Sequence, residues 1–452
     1  MNSQIKTFSY SNGELQRVQL VRLDDWKTLR FFQPRNSGPI LEQIADIYRT
    51  YLVPACPWIF GHMVLFTLPE DCTSRLPMIS KKYGELGDPL TAAAALLEGG
   101  VQIAGRNPLF SSEAAGTLWR ELEGKHCIQL VSGRLPFTKI IPVTRSLGPM
   151  SASSPHAALK VNTSFFILDC FDCATAYDHV GTPFGLCVSD GVILHPPLYH
   201  REALLVKADG SITVEIPELS SLVIELGGRR YHPGRDAVVY TRPAHSKTPP
   251  QPGWDFVIIG DRIAAVHQGG ATPIPASGFV LHTAENCPAA PGDAVVFHGM
   301  EDVLFGIQAG NSILRQGEKT SGFISPFYNI LNPFQPVPYP PSLYPLNFRK
   351  KRAARIALGA DAAGRPLLLW AEGAGKLRYE KGRDSRGASL SELGELCAEA
   401  GMVNAVNLDG GGSAQILLHN KRSLKLSDRD PRDNSEMERA VPLGLMLQDV
   451  NP

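Results

Sequence analysis

The sequence predicts an α+β protein: a mixed or antiparallel β-sheet body with few helices, behind a smaller N-terminal α/β region. Two observations carry this expectation. From about Cys127 onward, short β-branched and aromatic runs alternate with Gly, Pro and Asp punctuation, the pattern of many short strands. One well-signalled helix interrupts them, opened by Ser389-Leu-Ser-Glu392 and closed by Gly401. The chain of 452 residues is 43% hydrophobic and 19% charged, ordinary for a globular protein and too apolar for a disordered one. That length suits two or three domains.

Residues 1–125 form an N-terminal accessory region of mixed texture, with helix-like spacing in Ile40–Tyr51, Ala92–Leu97 and Ala114–Leu122. Residues 126–452 form the main domain. Its expected strands are Ala158–Leu168, Gly185–Leu194, Ala203–Lys207, Ser211–Ile216, Ala237–Thr241, Asp255–Ile259, Arg262–His267 and Ala294–His298. Asp209-Gly210 is a hairpin turn between two of them. Residues 326–345 carry seven prolines interleaved with Phe327, Tyr328, Phe334, Tyr339 and Tyr344, so this segment cannot be a central strand. It reads either as an extended surface loop or as an aromatic lid over a sugar-binding cleft. Strands Ala354–Leu358 and Pro366–Ala371 follow, then the helix, then the apolar runs Met402–Leu408 and Ala414–Leu418.

Charge and motifs narrow the function. Lys+Arg and Asp+Glu are 44 each, and this zero balance argues against a nucleic-acid partner. No run approaches the ~18 apolar residues that span a bilayer, so no membrane span is expected. Met1–Tyr10 lacks the apolar core of a secretory signal, so cytoplasmic placement is expected, or secretion where a leader has been removed. Eight scattered cysteines do not make a disulfide scaffold. Cys170 and Cys173, with Asp178 and His179 nearby, read as buried thiols rather than a zinc site, because no second Cys pair accompanies them. No metal or cofactor is expected.

The most informative stretch is Asn407-Leu-Asp-Gly-Gly-Gly-Ser413, at the end of a buried-looking strand. Three glycines let the backbone turn sharply and bare amides approach an anion as a nest. Asp409 at its rim reads as a proton-exchanging or sugar-holding carboxylate, or simply as the cap of a glycine hairpin. No Gly-Lys-Ser/Thr follows, so this is not a P-loop. A strand follows rather than a helix, so it is not a dinucleotide fingerprint. No Gly-x-Ser-x-Gly elbow marks a serine hydrolase.

Asn407–Ala414 resembles the signature of the phosphodiester glycosidase family. Val161–Phe166, Gly185–Gly191, Tyr240–Arg242, Gly306–Leu314, Ala354–Gly359 and Glu438-Arg439 resemble further family elements in the expected order, over roughly residues 150–450. Thr163 and Ser164 replace the usual glycines, and Ile356 replaces a threonine. The resemblance implies hydrolysis of the sugar–phosphate bond of a sugar-1-phosphodiester, of the N-acetylglucosamine-1-phosphodiester type. The partner it implies is a small glycosyl phosphodiester; oligomeric state is left open.

Such chemistry needs carboxylates beside the anomeric carbon, about 5–5.5 Å apart for retention and about 6.5–9.5 Å for inversion. Asp409 leads, then Glu372, which reads at least as well as a solvated turn acid, then Asp190, for which a plain hairpin turn is the stronger reading. Arg355 leads for the phosphate, since guanidinium grips two oxygens at once. Arg439 and Arg242 follow, with structural ion pairs as the alternative for each. Asn162, Asn407, Gly410, Gly411, Gly412 and Ser413 are expected to line the sugar and phosphate. Two other functions compete: a metal-dependent phosphodiesterase cutting the P–O bond, and a sugar or phosphate binding module without chemistry.

Overall fold

The structure, a computed structural model, describes residues 1–34, 148–167, 181–198, 201–242, 245–320, 351–374, 379–429 and 434–448. Short pieces at 62–67, 127–132, 141–142, 175 and 177–178 are also described. The helix-like segments at 40–51, 92–97 and 114–122, the proline-rich segment 326–345 and the Cys170/Cys173 pair lie outside the described residues.

Two antiparallel sheets dominate. The strands that build them are β1 (Asn2–Ser9), β2 (Leu15–Arg22), β3 (Leu29–Phe32), β4 (Ala157–Asn162), β5 (Ser312–Arg315), β6 (Glu318–Lys319), β7 (Arg355–Asp361), β8 (Pro366–Ala371), β9 (Met402–Asn407), β10 (Ile416–Leu418), β11 (Lys421–Arg422) and β12 (Gly444–Gln448). The first sheet runs β1-β2-β8-β7-β9-β5-β6 and the second β11-β10-β4-β12-β3. Helix α1 (Leu390–Glu399) is the one α-helix among the described residues.

Alternation along the strands explains how the layers stack. Ile356, Leu358, Leu368, Trp370 and Val406 point inward and share one core with Leu159, Val161, Leu417 and Leu445 of the second sheet. Ala357, Leu367, Leu369 and Ala405 point outward and are covered by Leu390, Leu393 and Cys397 of α1. The central strands are covered on both faces, so they read as continuous apolar runs with no polar alternation. Full burial of each Leu, Ile or Val contributes about 1.5–3 kcal/mol. The same inner core takes in Leu204, Val206, Phe305 and Ile307 of a five-stranded sheet. A second core binds that sheet to the smaller sheets around Val223–Leu226 and Pro250–Ile259. Asp209-Gly210 is the expected turn, with Gly210 at φ 86° between the paired strands Ala203–Lys207 and Ile212–Glu215.

The N-terminus departs from the expected boundary at residue 125. Strands β1 and β2 extend the first sheet through β2–β8 pairing, and β3 closes the edge of the second against β12. Residues 2–32 therefore belong to the main β body. The physical reason is that β2 supplies the missing ladder partner for β8, whose residues are all buried. Strand β1, almost wholly exposed, serves as the solvent-facing edge.

Helix α1 starts as its sequence requires. Ser389 Oγ accepts from Glu392 N–H at 3.2 Å, and Glu392 Oε2 accepts from Ser389 N–H at 2.9 Å. Burial would raise the Glu392 carboxyl, but hydrogen bonds from Arg352 and from Ser389 N–H, with the charge of Arg386, outweigh it and pull it down to about 2. The cap thus ties the helix to Arg352, just before β7. Ser389→Ala is expected to cost about 1 kcal/mol, read as a lower urea midpoint at unchanged slope.

Candidate active site

The glycine loop is the crossing between the two sheets. Beyond β9, Leu408 N–H donates to Ile356 O (2.8 Å) and Asp409 N–H to Thr163 O (2.8 Å), so Asp409 is held by both layers. Gly410 N–H then turns back onto Asp409 Oδ1 at 2.9 Å, and Gly411 N–H reaches Ala354 O at 2.8 Å. A short 3-10 turn over Gly411–Ser413 leads into β10. The glycines are required here. A Cβ at Gly410 would sit 2.7 Å from Ala354 O, and Gly411 has φ +60°. The Gly410 and Gly411 amides are spent inside the protein, so the expected anion nest does not form from them.

Asn162 ends β4 and locks this crossing. Its Oδ1 accepts from Gln415 N–H at 2.9 Å, and its Nδ2 donates to Asp409 O at 2.8 Å. The side chain is 1% exposed and has both ends committed, so it positions the loop rather than holding a sugar hydroxyl as expected.

Charges converge on this loop. Arg355 on β7 and Asn407 on β9 project from the same face of the sheet, because Ala357 pairs with Asn407 and strand side chains alternate. Arg355 is buried; its Nε donates to Ala388 O (3.2 Å) and Nη2 to Lys351 O (3.1 Å). Burial pulls it down to about 10, opposed by the negative charge of Asp409, so it stays cationic at neutral pH. Asp409 is half-buried: protein surrounds its carboxyl, yet part of the residue's surface stays open. Desolvation raises its carboxyl to about 6. The Ser413 hydroxyl, Arg439, the Gly410 amide and Arg355 all pull the other way.

Arg439, also buried, does not face outward as an expected phosphate grip would. Its Nε donates to Asp428 Oδ2 at 3.1 Å and its Nη2 to Asp428 Oδ1 at 3.5 Å. Its Nη1 donates to Ser413 Oγ at 3.3 Å. A continuous polar chain therefore runs Asp409–Ser413–Arg439–Asp428. Burial raises the Asp428 carboxyl to about 6 against the pull of Arg439. Sequence reasoning missed Asp428. A lone acid in Leu426-Ser-Asp-Arg429 has no diagnostic spacing, and only the fold sets it against Arg439.

The other expected site residues fall elsewhere. Glu372 continues β8 opposite Ala354, so its side chain leaves the face opposite to Arg355. There it is saturated: Arg17 Nη1 donates at 3.0 Å, Lys425 N–H at 2.7 Å, and Ser385 Oγ also donates. This is a structural ion pair beside a recess of about 710 Å³ whose lining includes Arg17, Ser151 and Lys425 but not Asp409. Asp190 occupies the left-handed position (φ 49°) of an exposed hairpin turn, 3.5 Å from Arg30. Arg242 follows Thr241, the last residue of a strand in the four-stranded sheet, and its Nε donates to Ile274 O at 2.6 Å. Neither shares a contact with Asp409. The Asn407 amide is wholly buried, and neither of its polar atoms has a hydrogen-bond partner among the described residues; Gly310, whose N–H donates to Asn407 O (2.7 Å), packs beside it. Gly412 and Ser413 are buried in the loop. Asp178 spends its carboxylate on Thr175 and Ser277.

The phosphodiester glycosidase family model matches residues 264–448. That span contains Gly306–Leu314, Ala354–Gly359, Asn407–Ala414 and Glu438-Arg439; the earlier look-alike elements precede it. N-acetylglucosamine-1-phosphodiester alpha-N-acetylglucosaminidase of Mus musculus is 39% identical over 67 residues, 15% of this chain and 11% of that protein. The Homo sapiens enzyme of the same name is 39% identical over 67 residues, 12% of its length. The matched stretch thus spans about a tenth of these relatives. Among solved structures, a hypothetical protein from Synechocystis overlays at a TM-score of 0.40 and 18% identity, covering 98% of this chain and 61% of that one.

Asn162→Ala strands Gln415 N–H and Asp409 O in the interior. At about 1–3 kcal/mol for each of these two orphaned groups, a loss of about 2–6 kcal/mol is expected in urea unfolding.

Proposed function

We propose that this protein is a hydrolase that cleaves the bond between the anomeric carbon and phosphate oxygen of a sugar-1-phosphodiester, with N-acetylglucosamine as the sugar. The single observation that carries this reading is the placement of a desolvated carboxylate, Asp409, beside a buried cationic arginine, Arg355, within the span matched by the family model. A glycosyl phosphodiester is anionic at one end and electrophilic at the other, and this pair is complementary to both.

In this reading Asp409 acts as the carboxylate at the anomeric carbon, and Arg355 steadies the phosphate as charge builds on it. Water supplies the oxygen that bonds to the anomeric carbon. The carbon–oxygen bond to phosphate breaks with its electron pair, the phosphomonoester departs, and the water proton passes to the Asp409 carboxylate and then to solvent. A phosphodiester leaves readily without protonation, so a second carboxylate acting as an acid is not required. This agrees with the commitment of Glu372 to Arg17, Lys425 and Ser385, away from the loop.

The test is hydrolysis of an N-acetylglucosamine-1-phosphodiester in heavy-oxygen water. The reading expects label on the sugar and none on phosphate; label on phosphate means P–O cleavage, and absence of turnover means a binding module. Asp409→Asn, nearly isosteric, should lower turnover by on the order of 10²–10⁴ with an unchanged circular dichroism spectrum. Full activity in that variant overturns the role given to Asp409.

A further inference from the structure

The Asp409–Ser413–Arg439–Asp428 chain poses a physical question. Arg439 carries a full charge close to Asp409, and an opposite charge within about 4–6 Å ordinarily lowers an aspartate by 1–3 pK units. A guanidinium free to move would close directly on the Asp409 carboxylate as a bidentate pair, occupying the lone pairs the reaction needs. In the structure it does not. Its Nε and Nη2 are turned onto Asp428, and only Nη1 faces the loop, where it meets Ser413 Oγ.

We propose that Asp428 is a positioning residue for the Asp409 site: by gripping the Nε/Nη2 edge of Arg439 it holds that guanidinium one hydroxyl away from the Asp409 carboxylate. This rests on the reading of Asp409 as the reacting carboxylate. The geometry that supports it is rigid. Asp428 and Arg439 are 3% and 6% exposed, and Ser413 has no exposed surface. Met437 N–H donates to Asp428 O at 3.0 Å, and Gln415 Nε2 donates to Arg439 O at 3.2 Å, so both backbones are anchored. An isolated bridge between Arg429 and Glu436 continues the pairing beside Asp428. Ser413 acts as the spacer, donating to Asp409 and accepting from Arg439.

Among the described residues, the charged groups that bear on Asp409 are Arg355 from β7 and Arg439, joined by the Ser413 hydroxyl and the Gly410 amide. Those that bear on Asp428 are Arg439 and Arg429. Removing the Asp428 charge takes away the carboxylate that holds the Nε/Nη2 edge of Arg439, beside Asp409. The Asp409 carboxyl must then titrate lower, because both the release of Arg439 and the loss of a nearby negative charge favour its ionised form. A change of charge alone would do part of this, so position has to be tested apart from charge. Asp428→Glu keeps the charge and moves the carboxylate by one methylene.

The experiment is a carbon-13 titration of the Asp409 carboxyl in the full chain labelled at aspartate, its signal assigned by loss in Asp409→Asn. Wild type is compared with Asp428→Asn and Asp428→Glu, and folding of each is checked by urea unfolding. Both variants are expected to lower the Asp409 midpoint by about one unit or more, and to lower kcat/KM on the phosphodiester at least tenfold. A wild-type midpoint and wild-type turnover in Asp428→Glu, with a shift only in Asp428→Asn, would reduce Asp428 to a background charge and overturn the proposal. So would an unchanged midpoint in Asp428→Asn. If Asp428→Asn does not fold, Asp428→Glu decides alone; if Asp428→Glu does not fold, an unchanged midpoint or wild-type turnover in Asp428→Asn overturns the proposal. The titration needs no substrate, so a wild-type protein without turnover would count against the glycosidase reading and leave the Asp428 result standing.

Discussion

Desolvation of one carboxylate, Asp409, is the constraint on which the rest of the site depends. Burying an ion without a partner costs several kcal/mol even after relaxation, and a carboxylate answers by rising in pKa. Here the rise stops at about 6 because Ser413, Arg439, the Gly410 amide and Arg355 offset part of the burial. Such a group is ionised at neutral pH yet less well solvated than one in water. The fold creates this environment by placing Asp409 on the short chain segment that passes from one sheet to the other, with its N–H bonded to Thr163 of the second sheet and Leu408 N–H bonded to Ile356 of the first.

The two arginines nearest Asp409 have different tasks. Arg355 lies on the face of β7 that looks toward α1 and is anchored by the carbonyls of Ala388 and Lys351. Arg439 is turned toward Asp428 and reaches the loop through a hydroxyl. The even balance of 44 basic and 44 acidic residues is therefore resolved locally into opposed charges at one place. Elsewhere the balance is kept by ordinary pairs such as Arg17–Glu372 and Arg352–Glu392.

Much of the fold was legible because its signals are local. The Ser389–Glu392 box, the Asp209-Gly210 turn and the continuous apolar runs Pro366–Ala371 and Met402–Leu408 each declare an element within a few residues. Strands β1 and β2 were not legible. Asn2–Ser9 is polar and exposed, and nothing within Leu15–Arg22 indicates that β8, about 350 residues away, lacks a ladder partner. The site divides the same way. Asp409, Arg355 and Ser413 sit in motifs that can be read in order, and the structure brings them together. Glu372 and Arg242 look like site residues by type and position, but side-chain parity and sheet membership, both long-range properties, send them elsewhere. Asn162 was found for its motif and turned out to hold the loop. Asp428 carries no local mark, because its meaning is its contact with Arg439.

The central claim is that Asp409 reacts as a carboxylate whose burial has raised its pKa. Its most direct test is the pH dependence of kcat/KM of the wild-type protein on a glycosyl phosphodiester. A raised pKa means the reacting form is present above pH 6 and is titrated away below it. The account predicts a single acidic limb centred near pH 6, falling about tenfold per pH unit beneath it. A rate that rises as the pH falls through 6 would make the protonated acid the working form, and a limb near pH 4 would mean an ordinary solvated carboxylate; either contradicts the account.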